Sequence, residues 1–218
     1  MNKKLKYILG EVIIVVLGII IAVQLNNLND YLKSQKEEKI IVALLNEDLA
    51  LEKYKLKYFI KDLDKGATYL SMFTNGSDSI NNLDSLSFYL QRAFIHQKSN
   101  AAYLNLKYSG KLDLITNQDI LADIVKLYET AYDGFSYVSN DNLHFKNHVV
   151  IPYIIDNLTI KLSGLNDPKE VKLKLATNKL QNLIKNQYLS YSQTSAYLNS
   201  HLSSIDAILE NIKNEYGD

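Results

Sequence analysis

The sequence predicts an all-α protein: a single N-terminal transmembrane helix that continues into an extracytoplasmic up-and-down helical bundle. Three observations predict it. Breakers are scarce, with two prolines and eight glycines in 218 residues, so long stretches rich in Leu, Ile, Lys and Asn run uninterrupted. Apolar residues recur at steps of three and four, the spacing of one helix face, from Ile40 onward and again near the C-terminus. Finally, Tyr7 to Leu25 is apolar except for Glu11 and Gln24. As a helix rising about 1.5 Å per residue, that run matches a hydrocarbon core of roughly 30 Å. The predicted parts are a cytoplasmic N-terminus (1–6), the span (7–25), a membrane-proximal helix (26–74) and an extracytoplasmic helical domain (75–218) packing against 40–74.

The span competes with a secretory signal, which also opens on lysines and an apolar run. No small-x-small cleavage site follows it, because Ala22 is succeeded by Val23, Gln24, Leu25 and Asn26. The absence of cysteine removes a lipoprotein anchor, and with it structural disulfides, thiolate metal sites and a cysteine nucleophile. An uncleaved anchor is the reading that fits. Lys3, Lys4 and Lys6 directly precede the span and orient the N-terminus inward, although Lys33, Lys36 and Lys39 flank the far end. The expected address is the inner membrane, crossed once, with the C-terminal domain in the periplasm. Lys and Arg balance Asp and Glu at 24 each, which argues against a nucleic-acid partner.

Glu11 sits about one turn inside hydrocarbon, where a carboxylate costs on the order of 2.5–3.5 kcal/mol unless it is protonated, reaches the headgroups or meets a partner. Glu11, Val15, Gly18, Ala22, Leu25, Asn29 and Leu32 follow alternating steps of four and three and so share one stripe. That stripe gathers the polar and small residues. Gly18-xxx-Ala22 lets two backbones approach, and Glu11 and Asn29 offer hydrogen bonds across a seam. Glu11, Val15, Gly18, Ala22, Leu25 and Asn29 are therefore the expected membrane-helix interface, with another membrane protein or a second copy as partner.

The stretch GEVIIVVLGIIIAVQLNNLND resembles the opening signature of a family of uncharacterised single-pass membrane proteins of Bacteroidota, a domain of unknown function. Gly10, Glu11, Gly18, Ala22, Gln24, Asn26, Asn27 and Asn29 match its pattern. The later stretch YLNLKYSGKLDLITNQDILADIVKLY is similar to that family's second block, with Ser109, Gly110, Leu114, Ile115 and Asn117 in place. The resemblance implies the same topology and brings no activity or catalytic residues. Leu28 stands where the family usually has a tryptophan.

Beyond the span, YLKSQKEEK reads as a charged, solvated neck. A helical period then resumes from Ile40 through Leu44, Leu45, Leu49, Leu56, Ile60, Leu63, Ala67, Leu70 and Phe73, to be stopped at Asn75-Gly76-Ser77. A second helix is predicted from about Asp84 to Gln97 and a third from Ala101 to Tyr108, ended by Gly110. KLDLI reads as a short extended turn. Asn117 is the N-cap of a fourth helix that runs past Gly134 toward His148, with a break or kink at Pro152. Asp167-Pro168, with Glu170 following, marks another start. The final helix carries Leu198, Leu202, Ile205, Leu209, Ile212 and Tyr216 on one face.

Sites of chemistry are few. The sequence holds no phosphate-binding glycine loop, no nucleophile elbow and no zincin helix. Asp141, His144 and His148 share a helix face and form the one weak candidate for a metal, with Glu129 and Asp133 upstream. The competing reading is a solvent-facing histidine pair, and no cofactor is expected. Adjacent acids such as Glu47 and Asp48 read as solvated surface, and the tyrosines as core and groove residues. The expected function is thus a non-enzymatic, membrane-anchored helical interaction or scaffold module. The alternative is an extracytoplasmic sensor bundle that binds a small ligand or metal and lacks its own output domain.

Overall fold

The computed structural model describes residues 3–74, 83, 85–161 and 166–217, with side chains from Glu11 onward. The chain is all-α. Helix α1 (Lys3–Thr74) is a single 72-residue rod, about 110 Å long at the α-helical rise. It passes through the charged neck without a break, since neither proline nor a glycine pair interrupts it there. The predicted stop at Asn75-Gly76-Ser77 lies outside the described residues.

Against the second half of α1 the chain packs three further passes. The first runs antiparallel to α1: Arg92 bonds Asp62, Ser99 bonds Glu52 and Ala102 bonds Asp48. It consists of α2 (Leu86–Gln91), a non-helical segment and α3 (Ala101–Ser109). The predicted helix to Gln97 is therefore too long. Arg92 turns extended (ψ 131°), and the following residues lie along the core, with Phe94 fully buried and its carbonyl accepting from Ser139. Gly110, at φ 68°, ends α3 in the left-handed conformation, its N–H reaching the Leu106 and Lys107 carbonyls. Leu112–Leu114 forms a 3-10 turn rather than an extended one.

The next pass, α4, is a continuous helical run. Its α-helical parts Gln118–Val125, Tyr132–Phe145 and Ile151–Asn157 are joined by π-helical Lys126–Ala131 and Lys146–Val150. Asn117 caps it, its side chain accepting from the Asp119 and Ile120 N–H groups. Asn117→Ala is expected to cost about 0.5–2 kcal/mol, read as a lowered thermal midpoint, because two helix-start donors then lose their acceptor. Pro152 does not break the run. The π-turn before it carries the Ile151 N–H to the Lys146 carbonyl, five residues back, and this wider turn takes up the clash that a proline ring makes with a regular α-ladder.

Asp167 caps α5 (Pro168–Lys174), accepting from the Lys169 N–H as the sequence predicts, while Glu170 reaches across to the Thr159 N–H. The last pass, α6 (Asn178–Tyr216), returns antiparallel to α1. Tyr191 packs at Gly66, Ser195 bonds Asp64, Lys53 pairs with Asp206 and Tyr216 bonds Glu38. The four passes alternate in direction, the up-and-down arrangement expected. Leu45, Leu49, Leu56 and Leu63 of α1, Ile120, Ile124 and Tyr132 of α4, and Leu198, Ile205 and Ile212 of α6 meet in one core.

Candidate functional site

Two features of α1 carry what is distinctive about the molecule. The first is the apolar stretch. The described helix contains a window of mean hydropathy 2.1, none of it buried, so by length and composition it is able to cross a membrane. Glu11, Val15, Gly18, Ala22, Leu25 and Asn29 are all exposed, and open space surrounds the position where a Gly18 side chain would stand.

The second is a ladder of carboxylates on the other part of α1. Glu52 is completely buried. One of its oxygens accepts from His96 Nε2 (2.7 Å) and from the Tyr132 hydroxyl, the other from the Ser99 N–H (2.6 Å). His96 is stacked on Phe59, and Lys98 Nζ stands 5.3 Å from the Tyr132 ring centre. Burial pushes the Glu52 acid upward, but the donors from His96, Tyr132 and Ser99 outweigh it and hold the carboxyl below the ordinary 4.5. Burial, and after it the same carboxylate, drives the Tyr132 hydroxyl upward, so it stays protonated and donating.

Glu38, nearer the apolar stretch, accepts from the Thr116 N–H (2.7 Å), the Thr116 hydroxyl (2.8 Å) and the Tyr216 hydroxyl (2.7 Å). It too is held below 4.5, its hydrogen bonds outweighing the upward push of burial, while burial and Glu38 together push Tyr216 up to about 12. Asp48 accepts from the Ala102 N–H (2.6 Å) and so caps α3, whose own Asn100 makes no side-chain cap. The charged neck and the Glu47-Asp48 pair are therefore not merely solvated, as their sequence suggests. Glu38 and Asp48 turn toward the bundle because each accepts a partly buried backbone hydrogen bond at a return pass, Glu38 from Thr116 just ahead of α4 and Asp48 from Ala102 in the first turn of α3.

Both depressed carboxyls give the fold a pH dependence with a definite sign. Their stabilisation is fully present above the unfolded value of about 4.5 and is lost as pH falls through the lower folded values. The thermal midpoint of the full-length chain in detergent is expected to fall as pH drops below about 4.5, and less steeply in Glu52→Gln.

Asp141, His144 and His148 are all exposed on α4. The two imidazoles lie against each other, ring centres 4.4 Å apart. Asp141 instead lines a cleft of about 400 Å³ with Tyr137, Asn186, Gln193 and Tyr197, which the histidines do not line. Among the described residues, no three His, Asp or Glu side chains are grouped so as to hold one ion. Only some of the tyrosines populate the core: Tyr103 stacks on Tyr128 at 4.5 Å and Tyr132 and Tyr191 are buried, while Tyr31, Tyr54, Tyr58, Tyr108 and Tyr137 are exposed.

Sequence reasoning missed the Glu52–His96 pair. The two residues are 44 apart, and nothing local pairs one with the other. The available signal was a single charge, Glu52, standing on the otherwise apolar face that runs through Leu45, Leu49 and Leu56. Comparison with protein-family models, curated proteins and solved structures finds no match.

Proposed function

We propose that this protein is a non-enzymatic, single-pass membrane-anchored helical interaction or scaffold module. It associates through its membrane helix and through the bundle, which is held on the far side of the inner membrane. Its N-terminus faces the cytoplasm and its bundle lies in the periplasm, the topology of the Bacteroidota family that its opening block resembles. One observation carries the reading: the apolar span and the central post of the bundle are one uninterrupted helix, so any contact in the bilayer is mechanically continuous with the folded body. The occupied carboxylate at the centre of the bundle supports the non-enzymatic part. Glu52, the most buried acid, has both oxygens occupied by donors and no exposure through which a substrate would reach it.

The test is extraction and sizing of the full-length protein. Resistance to carbonate, and an assembly in mild detergent that shrinks on Glu11→Leu or Gly18→Ile, is the expected result. Release by carbonate would remove the membrane reading; a size unchanged by either substitution would remove the association through the span.

A further inference from the structure

The face of α1 that the bundle leaves open is also the face that carries the small and polar residues of the span. Ten turns of α-helix take about 36 residues, and α1 runs without proline from Lys3 to Thr74. Val15 is therefore in line with Leu51, Gly18 with Tyr54, and Ala22 with Tyr58. Leu45 and Leu63, which grip the bundle at 0% and 1% exposure, point the opposite way, half a turn round. Tyr54 and Tyr58 are each 59% exposed and Leu51 48%, and the two rings lie 4.7 Å apart. A shallow groove along this face is lined by α1 residues alone, among them Tyr54, Tyr58, Lys61 and Lys65.

Resting on the membrane-anchored reading, we propose that this line is the seam of a parallel two-fold dimer with a second copy of the same chain, running from Glu11 to Tyr58. Three arguments select a second copy. Chains inserted in one orientation present the same face at the same depth, so Gly18 and Ala22 meet their own counterparts and let the backbones close. Glu11 then meets Glu11 across the seam, and neither carboxyl faces lipid.

The second argument is area. Thirteen turns are about 70 Å, and a strip about 10 Å wide along them buries about 1,400 Å² in total, the size of a standard stable interface. The third is where the line ends. Beyond Tyr58 it continues into Lys61 and Lys65, two successive like charges with no apolar residue of the line between them; the seam closes there and the two bundles diverge. Lys36 and Glu47, also on the line, extend their long chains past the contact into water.

The chain has no cysteine, so a single introduced thiol reports its own surroundings. In membranes holding the full-length protein, a short bis-maleimide is expected to give covalent dimers of Leu51→Cys and of Tyr54→Cys. Tyr137→Cys, at a position 77% exposed on α4, is expected to give none. Adding Gly18→Ile to Tyr54→Cys is expected to cut the dimer yield several-fold, because the added side chain holds the spans apart. Adducts of Tyr54→Cys with a different protein, or an equal yield from Tyr137→Cys, would overturn the second copy as occupant. No cross-link in a protein that still resists carbonate and still runs as an assembly would overturn this seam and leave the membrane-anchored module standing. Release by carbonate would remove both.

Discussion

Glu52→Ala is expected to destabilise the folded chain by about 3–5 kcal/mol, because several buried donors lose one shared ionised acceptor. The reasoning starts from the donors. His96 Nε2, the Tyr132 hydroxyl and the Ser99 N–H all converge on this one carboxylate in a region without solvent. Removing it strands three donors at once, and each costs about 1–3 kcal/mol if nothing replaces the acceptor. The loss falls on the segment between α2 and α3, which has no helical ladder of its own. Hydrogen exchange of the full-length protein in detergent should show Ser99 and its neighbours opening before α6 does. Glu52→Gln separates charge from packing. It fills the same volume, but its NH2 group meets a donor that needs an acceptor, so a loss of about 1–3 kcal/mol is expected. An effect below 0.5 kcal/mol for the alanine variant, measured by denaturant titration, would mean that this cluster does not anchor the first return pass.

Gly66→Ala is expected to cost about 1–3 kcal/mol although alanine is the better helix former. An added Cβ at Gly66 would run into the ring of Tyr191, and that ring is completely buried with its hydroxyl donating to the Tyr89 carbonyl (3.1 Å). The ring also packs edge-on to Phe94 at 4.7 Å, so it is fixed from several sides and α6 must move outward instead. Because the two changes share one contact, they should not add. Gly66→Ala combined with Tyr191→Leu is expected to cost less than the sum of the separate losses, and a thermodynamic cycle measures the difference. Strict additivity would show that α1 and α6 do not touch at this point. Gly18→Ala, by contrast, should leave the folding stability of the bundle unchanged, because nothing of the same chain lies near that glycine.

Legibility in the sequence followed the range of the interaction. Local devices were readable where they depend on adjacent residues: the Asn117 cap, the Asp167-Pro168 start and the left-handed Gly110 stop all formed where their chemistry predicts. The terminal stripe was readable too, with Leu198, Ile205 and Ile212 buried as its period requires. The second helix was misjudged because Leu86 to Gln97 has adequate helix propensity. What shortens it is a competing set of tertiary partners, Asp62 for Arg92 and Glu52 for His96 and Ser99. The alternative of a break at Pro152 fails for a related reason: a π-turn accommodates the proline, and no residue in Lys146–Val150 announces a π-turn. Of the candidate sites, the placing of Glu11, Gly18 and Ala22 on one face of α1 follows from helical spacing alone, whereas the geometry separating Asp141 from the two histidines does not.

By itself the sequence determined the all-α class, the long apolar segment and the face on which its small and polar residues fall, since each is set by the period of one helix and the scarcity of breakers. The tertiary structure alone decided which charges turn inward. An acid on a helix is a surface residue until distant donors arrive to hold it, and the donors for Glu38 and Glu52 come from residues 44 to 178 positions further along the chain.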